Sequence, residues 1–295
     1  MLDEHTKECE LCGGEVSYKF SSVVLDNIRA NYYECQNCHM LRSDHLDGDA
    51  CSLAHVYRIG NKLDLDTGAA WRQYCVVRRL EKLFRYGIIK PRVRRLKALD
   101  LGGGSGFTGS YLISRLGWDA YTYDPFSNPS YLPGRFLREW PSVQNKGPFD
   151  LIIATEVFEH FVRPRDEIKK ITAILPSSTA YLYVTTKLYT PEVKDASWPY
   201  LARETGQHVC FYSRKSVKQI ARLLGNFRAH QVGGDYEWLF ENEYGSSSLA
   251  RRMYIRFVTR LLCIGVKYRI YESIEMNNPV VSLGAWGSMK NGREV

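Results

Sequence analysis

The chain has 295 residues, 44% hydrophobic and 24% charged, an ordinary globular balance with room for one large domain or a medium domain and a small one. No window holds the roughly 18 uninterrupted apolar residues of a membrane span. The acidic start Met1-Leu2-Asp3-Glu4-His5 lacks the apolar core of a secretory signal, so a cytoplasmic protein is expected. The net charge of +8 points to an anionic partner (nucleic acid, nucleotide-sugar or membrane surface) or to a basic surface kept only for solubility.

Residues 1–48 form a loop-rich unit, too small to fold on a hydrophobic core alone. Cys9-Glu-Leu-Cys12-Gly-Gly sets two thiols around a tight turn, a strand follows over Val16 to Val24, and the pattern returns as Cys35-Gln-Asn-Cys38. Two such pairs supply four thiolates, a set that suits a structural, zinc-ribbon-like tetrahedral Zn2+ site with no open coordination position. The alternatives are four free or oxidisable thiols, or His39 replacing one ligand. Cys51, Cys75, Cys210 and Cys263 are scattered, and without an export signal reduced thiols are expected.

Residues 49–97 read as a helical linker or lid. Asp66-Thr67-Gly68 has the form of a helix cap, and the stretch from Trp71 to Phe84 carries apolar residues at helical spacing. A basic cluster, Arg92, Arg94, Arg95 and Lys97, leads into the next strand.

From Ala98 to Val295 the pattern becomes strand, glycine turn, helix, strand. Strands are expected at Leu96–Leu101, Ala120–Tyr123, Phe149–Ala154 and Ala180–Thr185. Helices are expected at Phe107–Leu116 with Gly117 as its stop, Pro164–Leu175 and Ser213–Leu224. This alternation predicts an α/β fold with a mostly parallel sheet. Ser248–Arg269 reads as a helix with a broad apolar arc, Arg252, Arg256 and Arg260 lying opposite. Such a helix suits packing on the domain, a peripheral membrane contact, a lid or a homodimer interface. Pro279–Trp286 reads as the closing antiparallel strand, which makes 241–278 an insertion between the last two strands.

The chemistry concentrates in Asp100-Leu-Gly102-Gly-Gly104-Ser-Gly106. Glycines let the backbone turn sharply off a strand and approach a ligand closely. A dinucleotide fingerprint runs Gly-x-Gly-x-x-Gly; here an acid ends the strand and Gly-x-Gly-x-Gly follows. A carboxylate at Asp100 would suit a ligand's cationic amino group and repel a pyrophosphate. About twenty residues on, Asp124 ends the second strand, where it can accept hydrogen bonds from ribose hydroxyls or serve as a turn aspartate beside Pro125. Phe126, Glu139 and Trp140 are the candidates beside an adenine. Glu156-Val-Phe-Glu159-His160 closes the fourth strand.

Asp100–Gly106, Asp124 and Thr155–His160 together resemble the class I S-adenosylmethionine-dependent methyltransferases, over roughly Leu96 to Thr186. The resemblance implies a Rossmann-like, seven-stranded sheet with helices on both faces and adenosylmethionine as cofactor. It also implies that Asp100, Gly102, Gly104, Gly106, Asp124 and Glu156 hold that cofactor, with Glu159 and His160 facing the site. With its four-cysteine knob, the whole chain resembles bacterial enzymes of glycan and sugar biosynthesis. A sugar or glycan hydroxyl is the acceptor this implies. A zinc-containing RNA methyltransferase and a non-catalytic adenosylmethionine-binding protein are the alternatives. The aromatic- and His-rich segment 185–213 follows the fifth strand, where open α/β sheets place substrates. His208 first and His160 second are the candidate bases for a hydroxyl proton, with a structural role as the competing reading for His208.

Overall fold

In a computed structural model of the chain, the structure describes residues 8–47, 53–60, 67–91, 95–176, 179–234, 236–242 and 249–264. The N-terminal unit contributes β1 (Val16–Val24), β2 (Ile28–Cys35) and β3 (Leu41–Ser43), followed by α1 (Leu53–Gly60) and α2 (Thr67–Arg85). Then come β4 (Lys97–Leu101), α3 (Phe107–Leu116), β5 (Asp119–Tyr123), β6 (Phe136–Leu137), α4 (Trp140–Lys146), β7 (Leu151–Thr155), α5 (Pro164–Ala173) and β8 (Tyr181–Thr185). The last elements are β9 (Cys210–Phe211), α6 (Arg214–Leu223), β10 (Phe227–Gly233), β11 (Glu237–Asn242) and α7 (Leu249–Ile264).

Seven strands form the main sheet in the order β10-β11-β8-β7-β4-β5-β6. Its five strands from β8 to β6 run parallel, and β11 pairs antiparallel with both β8 and β10. The central strands are buried on both faces, which is why Leu151–Ala154 reads as an unbroken apolar run. One apolar layer holds Val77, Leu80, Ile153 and Tyr183; the other holds Leu99, Ile152, Ile168 and Val217. Gly117 closes α3 in the left-handed conformation, φ 68°, its N–H returning to Ile113 O. Ser213 caps α6 through a reciprocal pair with Ser216.

Among the described residues, β10 and β11 pair antiparallel, Gly233 opposite Glu237, and are the last two strands of the sheet. The expected closing strand, Pro279–Trp286, lies outside the described residues, as do Asp66 of the expected cap and Arg92 and Arg94 of the basic cluster.

The cysteine-bearing unit shares a second sheet with the α/β domain. Its order is β1-β2-β3-β9, and β9 comes from the segment after β8. Cys38 O accepts hydrogen bonds from Ser213 Oγ and Ser216 Oγ at 2.7 and 2.9 Å, and Leu11 O accepts one from Arg165 Nε at 3.2 Å. The unit is thus sewn to α5 and α6.

Helix α7 packs on β10 through Ile255 and Val258, both buried, while Met253, Phe257 and Leu261 face solvent. Its Arg252, Arg256 and Arg260 line a groove with Lys218, Arg222 and Arg228 of α6 and β10. None of its described residues lines the cavity described next. Among the described residues, no helix is long and apolar enough to cross a membrane.

Candidate functional site

A cavity of about 410 Å3 opens at the carboxyl ends of β4, β5 and β7. Leu101 and Gly102 form its floor, Asp124 and Phe126 one side, Trp140 and His160 others. Helix α1 supplies the remaining wall: Tyr57 stacks on Phe126 with centroids 4.4 Å apart and planes 9° from parallel. The two stacked rings form one apolar wall of the cavity and Trp140 another, an aromatic slot for a flat heterocycle.

The glycine loop lies against this floor. Gly102 adopts φ +64°, and a Cβ there would sit 2.7 Å from Val157 Cγ2. At Gly103 a Cβ would meet Asp100 Oδ2 at 2.1 Å, so the loop backbone presses directly on that carboxyl. Asp100 is 1% exposed, and its Oδ2 has no hydrogen-bond partner among the described residues. Burial first, and the nearby Asp124 charge second, push its pKa up to about 8. An orphaned buried carboxyl oxygen behind a backbone cradle fits a ligand carrying a cationic amino group, as adenosylmethionine does. Of the six residues expected to hold the cofactor, Gly102, Asp124 and Glu156 line the cavity. Asp100, Gly104 and Gly106 do not line it; Asp100 is buried beneath the loop, and Gly104 and Gly106 turn the loop at φ +57° and φ +89°.

Asp124 takes the turn role expected of it and also faces the cavity. Its Oδ1 accepts from the N–H groups of Phe126 and Ser127 at 2.8 and 2.9 Å, the turn geometry expected beside Pro125, and Oδ2 accepts from Gly104 N at 3.0 Å. Oδ1 thus uses both of its lone pairs, Oδ2 keeps one for a ligand, and the residue lines the cavity. Phe126 and Trp140 reach the cavity; Glu139 does not line it.

Beyond the loop, β7 ends in Glu156, a non-glycine residue at φ +53°. Such a conformation costs on the order of 1–3 kcal/mol and is held here by surrounding bonds. Glu156 N–H donates to Thr185 O at 3.0 Å, and Thr185 Oγ1 donates to Glu156 Oε1 at 2.8 Å. The Tyr200 hydroxyl lies 3.1 Å from Glu156 Oε2 and 2.5 Å from Glu159 Oε1. Glu159 is fully buried, and burial together with the Glu156 charge pushes its pKa well above the usual carboxylate range.

His160 and His208 are brought together, ring centroids 5.0 Å apart. His160 Nδ1 bonds the Tyr57 hydroxyl, and His208 Nδ1 donates to Tyr200 O at 2.6 Å. Burial first, then the neighbouring His208, holds His160 well below the ordinary histidine pKa, and burial likewise lowers His208. Both rings are therefore neutral at pH 7. His208 does not cap α6, since Ser213 does; it packs against Tyr200 and Phe211 instead.

The four cysteines of the two pairs also converge. Cys9 and Cys38 Sγ are 3.6 Å apart, Cys12 and Cys35 Sγ 3.5 Å, and all four lie within 4.8 Å of one another. That is near the edge, roughly 3.8 Å, of a sulfur tetrahedron with bonds of about 2.3 Å to zinc. It is far longer than a disulfide of about 2.05 Å. His39 stands outside this group, bonded to Glu34 and Lys215.

Sequence reasoning missed Tyr57 and Tyr200. Tyr57 follows Leu53 at i+4 on an amphipathic helix, and both line the cavity; the spacing marks a buried face without saying what it covers. Tyr200 stood in an aromatic loop already singled out, with nothing local to tie it to the glutamates.

The family model described as "Methyltransferase domain" matches residues 69–227, more than half of the chain. No curated protein matches at a significant level. Among solved structures, the chain is similar to the Burkholderia thailandensis 1,6-didemethyltoxoflavin-N1-methyltransferase with bound 1,6-didemethyltoxoflavin and S-adenosylhomocysteine. The identity there is 14% and the TM-score 0.40, covering 63% of this chain and 81% of that one. It is also similar to a SAM-dependent methyltransferase from Aquifex aeolicus, with 16% identity and TM-score 0.35 over 65% and 97% of the two chains. Haemonchus contortus phosphoethanolamine N-methyltransferase 2, in complex with S-adenosyl-L-methionine, shows 14% identity and TM-score 0.42, covering 82% of this chain and 56% of that one.

Proposed function

This chain belongs to the methyltransferase-domain family and is an S-adenosylmethionine-dependent methyltransferase; we propose that it methylates a hydroxyl of a sugar or glycan, such as a nucleotide-sugar or a surface-polysaccharide precursor. The observation that carries this reading is the pair His160 and His208, two imidazoles kept unprotonated by burial beside the cofactor cavity. A hydroxyl acceptor must lose its proton as the methyl arrives, and a neutral imidazole can take it. Trp198, half-buried against Tyr200 and Phe211, offers a ring face suited to the C–H patches of a sugar.

In this reading Asp100 meets the amino group of adenosylmethionine, Asp124 the ribose, Phe126 and Trp140 the adenine, and Glu156 the methionine half. Gly102, Gly104 and Gly106 shape the loop that admits it. The cofactor's sulfonium supplies the methyl group and its leaving group, so the protein's task is alignment and removal of water. Cys9, Cys12, Cys35 and Cys38 hold a structural Zn2+ in the 1–48 knob, 49–97 carries the α1 wall, and the methyltransferase domain follows from 98. A screen of nucleotide-sugars and oligosaccharides for adenosylhomocysteine release tests the acceptor. Methylation confined to nitrogen or carbon acceptors would overturn it.

The groove of six basic residues around Arg252, Arg256 and Arg260 supports the RNA alternative. Phosphate contacts give salt-dependent binding, so a chain that ignores RNA at low salt excludes that acceptor.

A further inference from the structure

Glu159, His160 and His208 form a second convergence of metal-ligating side chains, their ligand atoms within 4.8 Å of one another. They come from two separate segments, the turn after β7 and the residues just before β9, and are joined where Val209 N–H donates to Glu159 O at 2.8 Å. Glu159 is 0% exposed, and its Oε2 has no hydrogen-bond partner among the described residues.

The charge balance around that oxygen is unfinished. The Tyr200 hydroxyl stands between the Glu156 and Glu159 carboxyls and accepts from Lys187 N–H at 3.0 Å. It has one proton, so it can donate to one carboxylate and not to both. The carboxylate without that proton keeps an acceptor position open to a cation.

The ring anchoring favours a cation. His208 Nδ1–H donates to a backbone carbonyl and His160 Nδ1 bonds a tyrosine hydroxyl, which leaves Nε2 of each as the ligating atom. Metal-binding histidines are ordinarily fixed in this way, the second nitrogen held by a carbonyl or hydroxyl. Two imidazoles with one carboxylate, and a second carboxylate alongside, suit a first-row divalent cation such as Mn2+ or Fe2+.

We infer that Glu159, His160 and His208 bind a divalent first-row cation beside the cofactor cavity, with Glu156 next to it, and that this cation holds the acceptor hydroxyl. The role assigned to the cation rests on the hydroxyl-acceptor reading above. It changes the two histidines from proton acceptors into ligands: the cation lowers the hydroxyl's pKa, its proton leaves to solvent, and the oxygen then takes the methyl from sulfur. The acceptor this fits best carries adjacent hydroxyls, one to be methylated and a neighbour to complete the coordination.

The test uses the full chain with its cysteine-bound zinc retained, dialysed free of loosely held cations and titrated with Mn2+ alone, free Mn2+ being followed by electron paramagnetic resonance. Mn2+ is a hard cation with little preference for thiolates, so the four-cysteine site does not compete. About one Mn2+ per chain is expected. Glu159→Gln and His208→Ala should each weaken it at least tenfold, while adenosylhomocysteine binding, read by calorimetry, shows that both variants remain folded. His208→Gln is the fallback if His208→Ala fails to bind adenosylhomocysteine. No Mn2+ uptake by a wild-type chain that binds adenosylhomocysteine overturns the metal site and leaves the methyltransferase reading standing. Undiminished uptake in the folded variants overturns it too. Stoichiometric Mn2+ with methylation only of nitrogen or carbon keeps the site and overturns the acceptor reading alone.

Discussion

The carboxyl of Asp100 is buried beneath the glycine loop with one oxygen unbonded, and burial lifts its pKa to about 8. At pH 7 the ligand-free chain therefore holds this group protonated in about ten molecules of eleven. A bound ammonium group reverses the balance, because an opposite charge at contact favours the carboxylate. Binding of adenosylmethionine or adenosylhomocysteine at pH 7 should then release about 0.8 proton net, about 0.9 from Asp100 less the roughly 0.1 that the ligand's amino group takes up. Each pH unit below 8 should cost roughly tenfold in affinity, about 1.4 kcal/mol. The ligand's own amino group loses its proton near 7.7–8.0, so affinity should rise about tenfold from pH 6 to pH 7, flatten near pH 8 and fall beyond it.

The same shift acts on the ligand-free fold with a definite sign. A carboxyl raised from 3.8 to about 8 binds more protons folded than unfolded across that window, so stability falls as pH rises through it. Calorimetric titration with adenosylhomocysteine at pH 7, in buffers of different ionisation enthalpy, reads the released proton directly. Asp100→Asn should release none, lose the acid slope of affinity and flatten the pH dependence of stability. Wild-type binding without proton release, or an unchanged slope in the variant, would refute the role assigned to this residue.

His208→Ala should abolish turnover and leave adenosylmethionine affinity nearly intact; a parallel loss of affinity would instead place the ring among the cofactor contacts. Tyr57→Ala removes one face of the aromatic slot and should weaken adenosylhomocysteine binding by about tenfold, as loss of a stacked pair worth roughly 0.5–1.5 kcal/mol implies; unchanged affinity in a calorimetric titration would show that α1 does not wall the cofactor. Elemental analysis of unsupplemented protein should find about one zinc per chain, and Cys35→Ser should lose it with a lower melting temperature. Absence of zinc with unchanged melting would refute the metal knob.

What was legible in the sequence was local. Phe107–Leu116 is a helix with those bounds because Gly106 and Gly117 each take a left-handed conformation that only glycine adopts cheaply. Ser213 announced α6 because its side chain bonds the first free N–H groups. The carboxyl at Asp100 before the glycines identified a cofactor class because charge and backbone shape are set within seven residues. β10 escaped notice because Phe227–Gly233 is an edge strand with half-exposed, polar side chains, so no apolar run marks it. The pairing of β3 with β9, across most of the chain, left no local trace either.

That long-range pairing gives the cysteine knob a consequence for the site. Ser43 N–H donates to Val209 O at 2.9 Å, and Val209 N–H donates to Glu159 O at 2.8 Å, so one residue bridges the knob's last strand and the turn carrying Glu159 and His160. His45 ties the same segment from the other end, Nδ1 to Ser43 Oγ and Nε2 to Gly206 O at 2.6 and 2.8 Å. His208 lies between Gly206 and Val209, gripped on both sides by bonds that end in the knob. Four thiolates held together around Cys35 and Cys38 would keep β2 and β3 in register with β9. The knob then fixes an imidazole by backbone hydrogen bonds while contributing no side chain to the cavity. A metal held by those thiolates would set the position of His208 and leave the Asp100 cradle untouched.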